Sequence, residues 1–312
     1  MRILITGGAG FIGSNLAKFH LNKNDDVIVV DNLITGKKKN IEKILNHPNF
    51  KFIEKDIISF RFEEIPPVDV IYHLASPASP PYFKKLAIEI LMVNSVGTKN
   101  VLDYVKRSKS KRFVFSSSSE VYGDPKIHPQ PESYWGNVNP NGYRSCYDEA
   151  KRFGESLIMS YVRTFGLDCR IVRVFNTYGP YMDPKDGRVV SSFINQAIGN
   201  QPITVYGSGN QTRSFCFVDD MVQGIHLAGN TSGLSGKVMN IGNPTEFTVL
   251  EIAKKIKELT KSSSKIIFRS IPPDDPKRRK PVIKVAKKLL GWEPKISLDE
   301  GLKKTIQYYQ NL

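Results

Sequence analysis

The chain has 312 residues, 40% of them hydrophobic and 24% charged, a composition that suits a globular protein with one large domain and a smaller satellite. Its net charge of +15 would attract an anionic partner. The lysines are scattered, however, over 37–39, 84–85, 254–257 and 284–288, with no arginine-rich arm or RNA-binding motif, so an anionic metabolite is expected rather than nucleic acid.

In chain order, Arg2–Thr6 is expected as a strand, Gly13–Leu21 as a helix, and Val27–Val30, Phe50–Ile53 and Val70–Leu74 as strands. Ile88–Lys106 then reads as a helix, Arg112–Ser116 as a strand, Tyr147–Phe165 as a helix and Cys169–Val174 as a strand. Short apolar runs alternating with helices predict an α/β fold, a Rossmann-type doubly wound parallel sheet. After Asn176 the chain is punctuated by Gly179-Pro180, Gly207, Gly209, Pro244 and Pro272-Pro273, which predicts a smaller C-terminal substrate-binding lobe. Residues 1–175 are expected to form the Rossmann domain and residues 176–312 the lobe, with the two interleaved. The opening strand leaves no apolar stretch for a secretory leader, and no run reaches membrane-span length. Cys146, Cys169 and Cys216 lack metal-ligand or redox spacing, so a reducing compartment, the cytoplasm, is expected.

Gly7-Gly8-Ala9-Gly10-Phe11-Ile12-Gly13 follows the first strand and opens a helix. Gly7 and Gly10 permit a tight turn and close approach to a pyrophosphate, and Gly13 permits close helix–strand packing. The helix N-terminus adds N–H groups and a positive dipole end. Asp31 ends the second strand, where a carboxylate can accept from an adenosine ribose and would repel a ribose phosphate. NAD is therefore expected over NADP. Tyr147 and Lys151 stand four residues apart on one helix face. The ammonium is expected to favour the phenolate and lower the phenol pKa toward neutral pH, making Tyr147 a base for a sugar hydroxyl and Lys151 an orienter of the nicotinamide ribose. That spacing is common on solvated helix faces, and the glycine turn is what gives it weight. The run Ser116–Glu120 ends a strand, where ligands bind in such sheets. His73 ends a buried strand and reads as a core histidine. The other four histidines form no metal constellation, so no metal is expected. Tyr104, Tyr161 and Phe165 read as core or dimer contacts.

The glycine turn, the serine run and the Tyr-Lys pair resemble the extended short-chain dehydrogenase/reductase family. Longer strings resemble the UDP-glucuronate decarboxylases within it: His73–Pro80, Ser119–Pro125, Tyr134–Pro140, Arg144–Glu149, Phe175–Pro180, Asp186–Ser191, Tyr206–Ser214 and Gly291–Pro294. Asp274–Pro281 also matches, with Val282 in place of a usual Asp. The sequence departs from the family over 81–93, where Tyr82-Phe83-Lys84-Lys85 stands for a Tyr-x-x-Asn-Pro segment and Met92 for a lysine. The resemblance implies a lyase that converts UDP-glucuronate to UDP-xylose and carbon dioxide through a 4-keto sugar, recycling NAD. It also implies a homodimer built through two helices. Glu120 separates the chain from UDP-galactose epimerases, and Ser119 stands where 4,6-dehydratases carry an acidic Asp. A non-catalytic NAD-sensing protein would be expected to have lost Tyr147, Lys151 or Glu120, and all three are present.

By the same resemblance, Ser118, Ser119, Glu120, Tyr147, Lys151 and Arg279 are catalytic. NAD is held by Gly7, Gly10, Phe11, Ile12 and Gly13, and by Asp31, Asn32, Thr35 and Gly36 after the second strand. Asp56, Ile57, Leu74, Ala75, Tyr147, Lys151, Thr177 and Arg188 complete that set. Ser76, Asn94, Asn176, Val189, Tyr206, Gln211, Arg213 and Arg279 are implied to hold the substrate, with Arg188 beside them on the UDP portion.

Overall fold

The computed structural model describes residues 1–270 and 278–312; the expected punctuation at Pro272-Pro273 and the matching Asp274–Lys277 lie outside the described residues. The first half supplies β1 (Arg2–Thr6), β2 (Asp26–Asp31), β3 (Phe50–Glu54), β4 (Val70–His73), β5 (Arg112–Ser118) and β6 (Cys169–Val174). They form a seven-stranded parallel sheet in the order Val238–Ile241, β6, β5, β4, β1, β2, β3. Its strands are apolar at successive positions because both faces are covered. Ile3 and Ile5 pack on one side with Leu16 of α1 (Phe11–Leu21) and Met221 of the Val218–Asn230 helix. Leu4 packs on the other with Leu102 and Ile158, from the Thr98–Ser108 and Ser145–Phe165 helices. Strand order reverses between β1 and β4, which opens a crevice beyond their carboxyl ends.

Two expectations change. The helix expected over Ile88–Lys106 is interrupted: Ala87–Met92 and Thr98–Ser108 are α-helical, and Val93–Gly97 between them is a π-helical turn. The wider turn rotates Asn94 inward and brings Gly97 against Ile57, whose Cδ1 would lie 2.8 Å from a Cβ there. The second change is the sheet's seventh strand. Val238–Ile241 comes from beyond residue 176 and pairs with β6, so the second half of the chain re-enters the main sheet.

The rest of the second half builds small sheets at the mouth of the crevice. Thr212–Ser214 lies between Glu246–Thr248, antiparallel, and Arg278–Arg279, parallel. Ile203–Tyr206 pairs with Ile266–Arg269. The Val249–Thr260 helix beside them starts on a capping box of Thr248 and Glu251.

His73 is a core histidine: its Nδ1 lies 2.6 Å from Thr6 Oγ1 and its Nε2 2.9 Å from Thr98 Oγ1, and burial pushes its pKa down to about 3. Tyr104 and Tyr161 are internal, donating to Pro66 O at 2.7 Å and Asp103 Oδ1 at 2.7 Å, whereas Phe165 is exposed. The three cysteines are buried and unpaired. Among the described residues no helix is long and apolar enough to cross a membrane.

Candidate active site

A cleft of about 1260 Å³ runs from the glycine turn to the small sheets. Gly7 has φ +75°, and a Cβ there would sit 2.7 Å from Ala75 Cα. A Cβ on Gly13 would come within 2.2 Å of Gly7 O. Only glycine tolerates both the left-handed backbone and these approaches. Gly10 precedes α1 in an extended conformation, and no side chain among the described residues caps the helix. Its first N–H groups are therefore left for an anion. At the end of β2, Asp31 accepts from Ala9 N at 2.9 Å and Leu33 N at 2.8 Å, and burial raises its pKa. Asn32 beside it donates to Asp56 Oδ2 at 2.9 Å. A cradle that a Cβ would fill, an uncapped helix and a carboxylate at the second strand fit a dinucleotide.

The Ser145–Phe165 helix carries Tyr147 and Lys151 to the centre of the cleft. Tyr147 stacks on Phe83, ring centroids 5.1 Å apart at 15°, and Ser118 is close enough to its phenol to favour the ionised form. Lys151 Nζ donates to Ser116 O at 2.9 Å and lies 5.7 Å from the Tyr147 ring centre. The expected activation of the phenol by the ammonium is corrected here. Burial pushes Tyr147 up to about 12, outweighing Ser118 and Arg188, which act to lower it. Burial also brings Lys151 down to about 7, so the lysine is itself easily neutralised.

The end of β5 turns into a 3-10 helix at Ser119–Tyr122, where Ser118 Oγ accepts from Glu120 N at 3.2 Å. Glu120 Oε2 is bound by Arg144 Nη2 and lies 3.3 Å from Arg279 Nη2. Arg279 also donates to Ser119 O and, at 3.0 Å, to Gly123 O. Burial opposes ionisation of Glu120, but Arg279 and Arg144 together hold its pKa well below the usual carboxylate value.

Each residue that the sequence assigned to catalysis, cofactor or substrate lines this cleft, except Asn94. Asn94 is buried behind it, donating to Ser76 Oγ at 2.8 Å and Ile90 O at 2.8 Å; the π-helical turn points it at the support of Ser76 rather than at the cleft. On the far wall, Arg188 pairs with Asp186 at 3.1 Å and donates to Ala78 O at 3.1 Å. Gln211 there donates to Tyr206 O at 2.7 Å. Sequence reasoning missed Phe83 and Arg144, both in the lining. The signal was present in both cases. Phe83 lies in the divergent 81–93 segment, and Arg144 stands three residues before Tyr147, a spacing that shares a helix face.

Residues 3–242 match the NAD dependent epimerase/dehydratase family. The chain is 52% identical over 305 residues to UDP-glucuronic acid decarboxylase 6 of Arabidopsis thaliana, covering 97% of this chain and 87% of that one. It is 50% identical over 309 residues to UDP-glucuronic acid decarboxylase 1 of Xenopus tropicalis, covering 99% and 72%. Among solved structures, it is similar to UDP-glucuronic acid 4-epimerase from Bacillus cereus in complex with UDP-glucuronic acid and NAD. That likeness has TM-score 0.90 and 31% identity, and covers 100% of this chain and 99% of the other.

Proposed function

The chain belongs to the NAD dependent epimerase/dehydratase family, and on that premise we propose that it is an NAD-dependent UDP-glucuronate decarboxylase, releasing carbon dioxide and UDP-xylose. The observation that carries this reading is the identity of about half with curated decarboxylases along nearly the whole chain. At the site, Ser119 rather than a carboxyl group precedes Glu120, so the cleft lacks at that point an acid suited to expelling a hydroxyl.

NAD, held by the glycine turn and Asp31, would supply reversible hydride transfer at carbon 4 of the sugar. With its own proton released to solvent, an ionisation that the positive charge of bound nicotinamide and of Lys151 would favour, Tyr147 takes the proton from the hydroxyl at carbon 4, and Ser118 steadies that oxygen by a hydrogen bond. The C5 carboxylate of the 4-keto acid then leaves as carbon dioxide, the electron pair passing to the carbonyl. A proton enters at carbon 5 from water held by Glu120, Ser119 and Arg279. Lys151 orients the nicotinamide ribose. Asn176, Arg188, Tyr206, Arg213 and Arg279 hold the UDP portion, guanidiniums being suited to bidentate phosphate contacts, and Ser76, Val189 and Gln211 complete the pocket. Asn94 is a positioning residue for Ser76.

A homodimer in the cytoplasm accords with two further features. Ile88, Leu91 and Phe153 are exposed on the Ala87–Met92 and Ser145–Phe165 helices, an apolar strip that a second copy would cover. The three thiols are unpaired, as in reducing compartments.

Incubation of the pure protein with UDP-glucuronate and NAD should yield UDP-xylose with an equal amount of carbon dioxide. Inversion at carbon 4 with the carboxylate retained would instead make the protein an epimerase. The cofactor choice has its own test. Asp31→Ala should weaken NAD binding and erase the preference over NADP, read by titrating each nucleotide. Equal binding of the two by the parent protein would exclude Asp31 as the discriminator.

A further inference from the structure

We propose that the Lys37–Asp183 ion pair is a latch that holds residues 179–188 across the dinucleotide crevice and sets the rate at which NAD enters and leaves. Such a role goes beyond the decarboxylase reading and requires only that NAD binds. The pair joins opposite walls of the cleft. Lys37 stands in the turn after β2, next to Gly36, and its backbone N donates to Ala9 O of the glycine turn at 3.0 Å. Asp183 belongs to the far wall, between the Thr177–Tyr178 strand and the Val189–Ile198 helix. Lys37 Nζ and Asp183 Oδ2 are 2.6 Å apart, and both residues line the cleft. The same segment is tied to the start of α1, where the pyrophosphate is expected. There Asn15 Nδ2 donates to Phe11 O at 2.9 Å and to Pro180 O at 3.1 Å.

The segment has a fixed root and a lightly held tip. At the root, Tyr181 has a left-handed φ of +71°, which residues bearing a Cβ seldom adopt. Lys18 Nζ lies 3.0 Å from its ring centre and the Tyr308 ring 4.9 Å away. Met182 is buried, and its carbonyl accepts from Tyr309 at 3.1 Å. Farther along, Asp186 accepts from Ser79 and Arg188 donates to Ala78 O, both on the loop after β4. These ties do not reach the Asp31 side of the crevice; Lys37 does. The Lys37 and Asp183 side chains are 51% and 25% exposed, so water competes for the pair and it opens more readily than the buried root. Asp183 is nonetheless charged and ready to close. Burial opposes its ionisation, but Lys37 and the N–H of Lys185, 2.9 Å from its Oδ1, hold its pKa below the usual carboxylate value.

Both partners belong to the protein, so the latch obstructs entry and exit alike. Weakening it should speed both and leave the equilibrium nearly unmoved. Loss of a direct contact to the cofactor would speed exit alone. Asp183→Asn separates the two roles by sign. If Lys37 gripped a cofactor phosphate, removal of its protein partner would free it to bind more tightly, and release would slow.

The test uses NADH, which is fluorescent and shares the dinucleotide frame. Release is timed by chasing NADH-loaded parent, Lys37→Met and Asp183→Asn proteins with excess NAD in a stopped-flow instrument, and Kd is titrated separately. Each variant should release NADH about two- to five-fold faster, the range of a partly exposed ion pair, with Kd within about two-fold. The double variant should be no faster than either single one, because both break the same pair. Retained affinity also reports that the variants are folded. Unchanged release in either variant, slower release from Asp183→Asn, or faster release matched by an equal loss of affinity would overturn the proposal. A parent protein that behaves as expected here yet makes no UDP-xylose would fail the decarboxylase reading and leave the latch standing.

Discussion

Replacing Tyr147 with Phe should lower turnover by about two to four orders of magnitude and leave UDP affinity unchanged. The substitution keeps the ring and hence its stack on Phe83. It removes only the phenol oxygen, the proposed acceptor of the substrate proton. Burial raises the phenol pKa to about 12, so below that pH the cofactor-free protein holds Tyr147 protonated and neutral. An ultraviolet difference titration of parent against variant should accordingly show no phenolate from Tyr147 between about pH 7 and 9. Turnover within a few-fold of the parent would mean that another group accepts the proton.

Replacing Glu120 with Ala should have the second largest effect, and on two measurements at once. The substitution leaves Arg279 and Arg144 facing each other without their shared carboxylate. Breaking a buried ion pair from one side costs about 3–5 kcal/mol, which should appear as a lower melting temperature. Turnover should fall and little UDP-xylose form, because no other side chain in Ser116–Tyr122 is a carboxylate; NAD binding, expected to rest chiefly on the glycine turn and Asp31, should persist. The stability effect has a definite pH dependence. The folded pKa of Glu120 lies below its ordinary 4.5. Its contribution is therefore present above about pH 4.5 and is lost as pH falls through the folded value. Parent and variant should differ in melting temperature at pH 7 and converge in acid. A variant that makes UDP-xylose at the parent rate would remove Glu120 from the chemistry.

Much of the architecture was legible in the sequence because local pattern and final structure agree there. The strands β1 to β6 are apolar runs bounded by polar turns, and the glycine turn has a steric reason at Gly7 and Gly13. The failures share a different cause. Nothing in the periodicity of 88–106 marks the π-helical turn, since its reason is Gly97 packing against Ile57 from another segment. Val238–Ile241 is four residues long and lies among glycines, so it becomes a strand only because β6 offers an open edge. In the cofactor-free protein burial outweighs the charges that favour the Tyr147 phenolate, and burial is a tertiary property that the Tyr-Lys spacing does not carry. Arg144 resembles any charged residue ahead of a helix until Glu120 is placed beside it.

The late strand beside β6 also constrains how the molecule can be made. Until Val238–Ile241 leaves the ribosome, β6 is an edge with unpaired backbone groups, a template for a neighbouring chain. When the strand arrives it brings Asn240, whose buried amide spans Gln130 O at 3.0 Å and Val282 O at 3.1 Å. The side-chain oxygen of Asn240 accepts from Tyr122 at 2.8 Å. One short segment thus completes the sheet and fastens the Tyr122 turn to the chain that carries Arg279. The contacts that complete the sheet are of high sequence separation, which slows folding. A fragment ending near residue 175 would keep the glycine turn and the Tyr147 helix, yet lack the strand that covers β6 and one of the two arginines that hold Glu120.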